Sequence, residues 1–450
     1  MSASVWRGVM PSYRIRNFYV RMSRRIVRIA LCLASLTAGM IEINAQDRSP
    51  ASQSPPASSA LTLAEALAKG LAHHPALAPY AWEITAREAA IKQADRPLNP
   101  SLGLEVEDIA GTGAYGGARQ AQSTLSISQP LELGGKRALR TGVASAARTQ
   151  AELELEFQQQ EVLFQIRSSF VSVLVAQEKQ RLLAEGLKLA EEVVATVQAK
   201  VEAGKVSPVE LVKAQAGQAS ALKDWELAKQ ELAAARNQLA WTWGDAASAF
   251  TSVQGDLQSL SPVPARAECQ GQLLTNAAVR GMEATLTRSG AELKLVLKSR
   301  LPDVTVSAGY RHINASEDHA LLFGASVPLP VFQRQRGAEA EAAARLEKAR
   351  AEEAALKHRL QGALFGQLAV LERTRAEAVS YEQQLLPSAV EVFDKTREGY
   401  AGGKFAYLDL LDSQRMLLKL RLEHIDTLHR HHLARAELDR LLGINPISLK

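Results

Sequence analysis

Val201–Gln215 reads VEAGKVSPVELVKAQ, and Tyr400–Gln414 reads YAGGKFAYLDLLDSQ. At an offset of 199, Gly204 meets Gly403, Lys205 meets Lys404, Glu210 meets Asp409, Leu211 meets Leu410 and Gln215 meets Gln414. Gly244 and Gly443 keep the same offset, and Pro130-Leu131 meets Pro328-Leu329 at 198. Solenoid repeats run to about 50 residues, so a period this long marks a duplicated domain half.

Working outward from these turns, each copy reads alike. A helix leads in, at 62–95 in the first copy and 266–299 in the second. Two stretches of period two follow. Leu102, Leu104 and Val106 alternate with Gly103, Glu105 and Glu107, and the return carries Leu125, Ile127 and Leu131. In the second copy Val304, Val306, Ala308 and Tyr310 alternate with polar or small residues, and Leu321, Phe323, Ala325 and Val327 return. Period two with one apolar side is a half-buried strand, and each pair is a hairpin, at 100–131 and 302–329. A long helix comes next, at 141–203 and 337–399, with Pro387 as the one expected kink. Its stripe in the first copy includes Val162, Ile166, Phe170, Val173, Ala190, Val194 and Val197, spaced as in a coiled-coil seam. Return helices span 206–243 and 405–442, and Pro208 suits a helical first turn. At 1.5 Å per residue the long helix measures about 95 Å, against about 107 Å for the return helix and the next lead-in helix laid end to end. The expected order is a repeat at 61–244, a link at 245–265, a repeat at 266–443 and a tail at 444–450.

The net charge of +5 does not describe the body of the chain. Residues 1–45 hold seven Arg and one acid, Glu42, so the remainder is close to neutral and carries no basic nucleic-acid footprint. Arg24, Arg25 and Arg28 precede an apolar run from Ile29 to Ile41, and Ile43-Asn44-Ala45 ends it. This is the pattern of a secretory signal at 1–45, with Met22 as an alternative start; an N-terminal anchor is the competing reading. Residues 46–60 are rich in Ser, Pro and Ala and read as a flexible leader. Cys32 lies in the apolar run, where a small residue rather than Leu31 would suit lipidation. That leaves Cys269 with no partner for a disulfide or a cysteine metal cluster.

Four amphipathic strands cannot close a barrel, and a membrane tolerates only closed ones of about eight strands or more. A secreted chain with this pattern therefore needs partners, and three copies would supply twelve strands. The duplicated order of helix, hairpin, long helix, Gly turn and shorter helix resembles the TolC-type outer-membrane factor family over residues 61–443. SQPLELGGKR (128–137) and ASVPLPVFQRQRG (325–337) resemble its heavy-metal cation branch, the CzcC type.

The resemblance implies a mainly α chain with a small membrane β part, and a homotrimer forming a 12-stranded β-barrel on a 12-helix α-barrel. It implies a passive channel in the outer membrane, in contact with its lipid, with the helical duct in the periplasm. Its partners would be a periplasmic adaptor and an inner-membrane RND-type pump, with no nucleic acid, no cofactor and no enzymatic reaction. The family's tip residues fall at Asp409 and Asp412, its gate-closing tyrosine at Tyr400 and the acid of the other tip at Glu210. The basic partner seen in some relatives falls at Phe405, with Lys404 adjacent. Asp409 and Asp412 are three apart on one helix face, so three copies would form carboxylate rings that attract cations. Solvated helix charges are the plainer alternative.

Other groups are weighed against bland readings. His424, His429, His431 and His432 could suggest a metal, but exposed structural histidines are the better reading. His73-His74 precedes Pro75 at an expected bend. Tyr115, Tyr310 and Phe323 could anchor strands at the lipid boundary. GGARQ and GGKR lack the Ser/Thr and the strand-to-helix frame of a phosphate loop. Competing functions are the same fold exporting drugs or other organic solutes, a periplasmic adaptor, and a secreted coiled-coil structural protein.

Overall fold

The computed structural model describes residues 60–332 and 334–444. The expected signal segment, nearly all of the leader and the last residues of the tail lie outside them.

A short strand β1 (Leu61–Thr62) leads into α1 (Leu63–His73) and α2 (Ala78–Ala94). Thr62 and Glu65 make a reciprocal capping box that starts α1. The lead-in helix expected as one piece is thus two. His74 leaves helical geometry before Pro75, and its Nδ1 accepts from the Ala76 N–H at 3.1 Å. The residue before a proline is pushed out of the α region, which explains the break.

Strands β2 (Ser101–Glu107) and β3 (Gln122–Leu131) form the first hairpin. Helix α3 (Lys136–Glu202) runs 67 residues, about 100 Å. Helix α4 (Pro208–Trp241) returns along it, and β4 (Val253–Gln254) pairs in parallel with β1. Helices α5 (Arg266–Leu273) and α6 (Ala277–Lys298) replace the second lead-in helix, with Asn276 capping α6 through the Val279 N–H at 3.0 Å. Arg280–Glu156 at 2.8 Å and Arg288–Gln150 at 3.3 Å lay α6 along the first half of α3. One long helix therefore faces two shorter ones.

Strands β5 (Val304–Ile313) and β6 (Asp318–Ser326) complete one four-stranded antiparallel sheet, ordered β2-β3-β5-β6. Its register separates the faces. Leu102, Ile127, Ala308 and Phe323 form one cross-strand row, and Leu104, Leu125, Tyr310 and Leu321 the next. Gly103, Ser126, Gly309 and Leu322 line the opposite face, beside Glu105, Thr124 and Arg311. Arg311 there bonds Thr124, Gln122 and Glu107 at 2.9–3.0 Å. The apolar face is bare: Leu104 is 73% and Phe323 82% exposed.

The second repeat continues with α7 (Arg336–Ser380), a π-turn at Tyr381–Leu385, α8 (Leu386–Ala401) and α9 (Tyr407–Leu442). The departure from α geometry lies just before Pro387, whose missing N–H and bulky ring break the local ladder. Pro387 therefore acts through a π-turn. The core is a column of apolar clusters. Phe170, Ile166, Leu67 and Leu239 fill one, and Leu364, Leu371, Leu438 and Cys269 fill its counterpart in the second repeat. Asp439, buried, is held between Arg167 of α3 and Arg435 of α9. Two guanidiniums on one buried carboxylate lock the repeats in register, since an unpaired charge there would be costly.

Candidate functional site

The two Gly turns lie at the opposite end of the helices from the sheet, and their helix-ending hydrogen bonds match. The Lys205 N–H reaches the Lys200 carbonyl at 2.9 Å, and the Lys404 N–H reaches the Gly399 carbonyl at 2.7 Å. The Ala203 N–H bonds Ala199, and the Gly402 N–H bonds Glu398, at 3.1 and 2.9 Å. This is the Schellman way of ending a helix. It needs one residue in the left-handed region, supplied by Gly204 (φ +67°) and Gly403 (φ +73°).

The next helices start differently. Ser207 caps α4, its hydroxyl accepting from the Val209 N–H at 3.3 Å. Ala406 precedes α9 and has no acceptor. Asp409 supplies the reverse half of the box, its carboxylate accepting from the Ala406 N–H at 2.9 Å. Asp409 thus has a helix-starting role, and its side chain remains exposed. Asp412 is exposed one turn on, and Lys404 is exposed in the turn itself.

Tyr400 and Glu210 lie in a different environment. Tyr400 is 5% exposed, within an apolar cluster that joins Val197 of α3, Ala214 of α4, Phe393 of α8 and Leu410 and Leu417 of α9. Its ring meets Tyr407 edge-on at 6.2 Å between centroids. The Tyr400 hydroxyl and Glu210 Oε2 are both buried without a hydrogen-bond partner. Burial raises the Tyr400 hydroxyl above the usual tyrosine range, and the nearby Glu210 carboxylate adds to the effect. Burial also raises Tyr407. Both phenols therefore stay neutral at physiological pH.

Lys200 completes this cluster, and sequence reasoning missed it. Its ammonium donates to the Tyr400 carbonyl at 2.6 Å and sits 3.7 Å from the centre of the Tyr400 ring. One cation thus pins the end of α8 to α3 by a hydrogen bond and a cation–π contact. No local pattern could reveal it, because its partner lies 200 residues away. Phe405 is also placed by contact. A Cβ added at Gly399 would run into its ring, so the ring rests on bare backbone.

The structure brings Tyr400, Glu210 and Lys200 together and leaves Asp409, Asp412 and Lys404 on the exposed side of the tip. The histidines expected to be exposed are not. His424 and His431 are buried, and His429 and His432 are partly buried. Leu410, Leu417, His424, His431 and Leu438 recur every seven residues, so both buried histidines occupy a seam position of α9. His424 stacks on Tyr381 at 5.7 Å, and Thr374 lies 3.4 Å from His431 Nδ1. Burial pushes His431 down to about 4, helped by His432, Arg375 and Arg435. Among the described residues no group of three His, Cys, Asp or Glu could hold a metal ion. Tyr310 and Phe323 lie on the apolar face of the sheet, and Tyr115 is half exposed in the loop between β2 and β3.

A four-stranded amphipathic sheet carried on a duplicated helical body, with paired turns at the far end, defines a channel component. The outer membrane efflux protein family matches residues 66–245 and 270–444, and the chain belongs to it. The chain is 33% identical over 383 residues to the cobalt-zinc-cadmium resistance protein CzcC of Cupriavidus metallidurans, covering 85% of this chain and 90% of that one. It is 29% identical over 272 residues to the nickel-cobalt-cadmium resistance protein NccC of Alcaligenes xylosoxydans xylosoxydans, covering 60% and 61%. Among solved structures, CusC aligns with TM-score 0.73 and 17% identity over 85% of this chain and 92% of its own. The outer membrane protein VceC of Vibrio cholerae aligns with TM-score 0.70 and 18% identity, over 85% and 96%. The protein is an outer-membrane efflux channel component with a helical periplasmic part, a passive conduit that performs no chemistry. Its family works with an adaptor and an inner-membrane pump.

Proposed function

We propose that three copies of this chain close a twelve-stranded barrel on a twelve-helix duct. The duct passes heavy-metal cations delivered by a periplasmic adaptor and an RND-type pump. The observation that carries the cargo is the 33% identity to CzcC across 90% of that protein, which is named for cobalt, zinc and cadmium resistance. The bare apolar face and two open edges of the sheet support a self-assembled barrel, because lipid tolerates no unpaired edge. In this reading residues 61–244 and 266–443 are the two wall units, joined by a link at 245–265. Asp409 and Asp412 form exposed carboxylate rings at the duct entrance. Tyr400, Glu210 and Lys404 belong to the closing element, and Lys200 holds Tyr400 in place.

The test is a deletion strain challenged with zinc, cobalt, cadmium, nickel, copper and silver salts beside a panel of organic toxins. Loss of tolerance to one or more metals, restored by the plasmid-borne gene, is expected. Unchanged metal tolerance with lost tolerance to organic compounds would transfer the cargo to organic solutes. That second reading has its own support, 23% identity over 341 residues to the pyoverdine export protein OpmQ of Pseudomonas aeruginosa.

A further inference from the structure

The sheet leaves β2 and β6 as open edges, and the internal repeat specifies how they meet. Ser128-Gln129-Pro130-Leu131 of β3 aligns with Ser326-Val327-Pro328-Leu329 at an offset of 198, which makes β6 the equivalent of β3. Ser101 faces Ser128 and Thr305 faces Ser326, so β2 and β5 are equivalent at an offset of 204. The chain itself contains one joint between repeats, β3 against β5, with Ser128 opposite Ser307 and Leu125 opposite Tyr310. A closed ring of repeats needs a second joint, β6 against β2. The two offsets carry Ser128 to Ser326 and Ser307 to Gly103.

Resting on the trimer reading above, the geometry points to an antiparallel joint between protomers in one register. Ser326 lies opposite Gly103 of the partner subunit, Ala325 opposite the partner subunit's Leu104, Gly324 opposite the partner's Glu105 and Phe323 opposite the partner's Val106. Both offsets are even, so every residue keeps its face. Phe323, Ala325, Leu104 and Val106 continue the apolar rows, and Ser326, Gly324, Gly103 and Glu105 continue the polar ones. A slip of one residue would set Phe323 against Glu105 and turn the apolar side chains inward. Pro328 falls opposite Ser101 just as Pro130 falls opposite Thr305, so the missing N–H recurs where the ladder already tolerates it.

The base of the sheet repeats the argument. Within the chain the Lys136 ammonium crosses the repeat joint to the Leu301 carbonyl and to Asp303 Oδ1, the latter at 2.8 Å. Its equivalent at the start of α7 is Arg336, because both follow a left-handed residue, Gly135 (φ +71°) and Gln335 (φ +57°). The offset of 204 turns Leu301 and Asp303 into Pro97 and Asn99. Arg336 is exposed in an open cleft beside Pro328 and Phe332, the latter 96% exposed, and Asn99 is exposed at the foot of β2. In the joint Arg336 donates to the backbone carbonyl and the side-chain amide oxygen at these two positions of the partner subunit. A second copy fits because the same contact already exists inside one chain.

Directly opposed residues have Cβ atoms about 4.5–5.5 Å apart, within disulfide reach. The experiment uses the full chain in outer membranes, with Ser326→Cys combined in turn with Gly103→Cys, Ser101→Cys or Glu105→Cys. Buried Cys269 stays as background. Each single-cysteine parent is first checked for outer-membrane insertion, and Ala325→Cys with Leu104→Cys repeats the reading on the other face. A covalent trimer as the dominant product of the 326/103 and 325/104 pairs is expected, with little from 326/101 or 326/105. Dominant crosslinking at 101 or 105, or a trimer by native mass that no pair crosslinks, overturns the register and leaves the trimer standing. A monomer by native mass that no pair crosslinks overturns the trimer reading itself.

Discussion

Around residues 199–205 and 398–404 the chain ends a helix the same way twice, with the same Schellman hydrogen bonds and a left-handed glycine at the same place. The side chains diverge. The first tip has Lys200, Val201 and Val206 where the second has Gly399, Tyr400 and Phe405. One copy supplies a cation, and the other supplies the ring and the carbonyl of Tyr400 that receive it. Two copies of a turn diverged into the two halves of one contact, which explains why Lys200 meets Tyr400 at its ring face and its carbonyl. Backbone hydrogen bonds make the turn, and side chains drawn from both copies make the contact between the two turns.

The largest expected break of this comparison is Gly399→Ala. Its new Cβ would run into the Phe405 ring, and overpacking of this kind costs about 1–3 kcal/mol. The measurement is the melting temperature of the purified protein, with hydrogen exchange localised to residues 398–410. Phe405→Ala in the same chain should restore most of the loss. Wild-type melting of Gly399→Ala alone would mean the ring is not seated on that backbone.

Lys200→Met comes next. It keeps the aliphatic stem and removes the ammonium, which contributes about 1–2 kcal/mol through the ring contact and the hydrogen bond. Conductance of the channel in planar bilayers should rise, while Lys205→Met, in the exposed part of the first turn, should leave it unchanged. Equal conductance in both variants would separate Lys200 from closure.

The smallest effect separates the helix-starting role of Asp409 from its proposed place in a carboxylate ring. Asp409→Ala loses the cap on the Ala406 N–H and should destabilise the protein by about 0.5 kcal/mol, whereas Asp409→Asn keeps an acceptor there. Both remove the charge, so both should lower cation selectivity alike. A selectivity change in the Ala variant only would assign Asp409 to helix starting alone.

The duplicated fold was readable because its two periods are strong: alternation in the strands, and steps of three and four in α3. The split of the lead-in helix at His74-Pro75 and the π-turn before Pro387 follow from proline chemistry, and the sequence marks both sites. The pairing of β1 with β4 was not readable, because two residues make no pattern. The histidines were misread as exposed because their polarity outweighed their spacing; the seven-residue recurrence with Leu410, Leu417 and Leu438 was the signal that they lie in the seam. At the tip, sequence marked Tyr400 and Glu210 but gave no sign of their burial, nor of Lys200.

By itself the sequence determined that this chain repeats, that each copy carries two strands with one apolar face, and that such a sheet cannot stand alone. These are local periodicities, and local sterics and hydrophobicity settle them. Only the tertiary structure decided which positions of the two copies meet: Lys200 on Tyr400, Lys136 on Asp303, β3 beside β5. Those partners lie from 167 to 200 residues apart in the chain, where no spacing rule reaches and only packing brings them together.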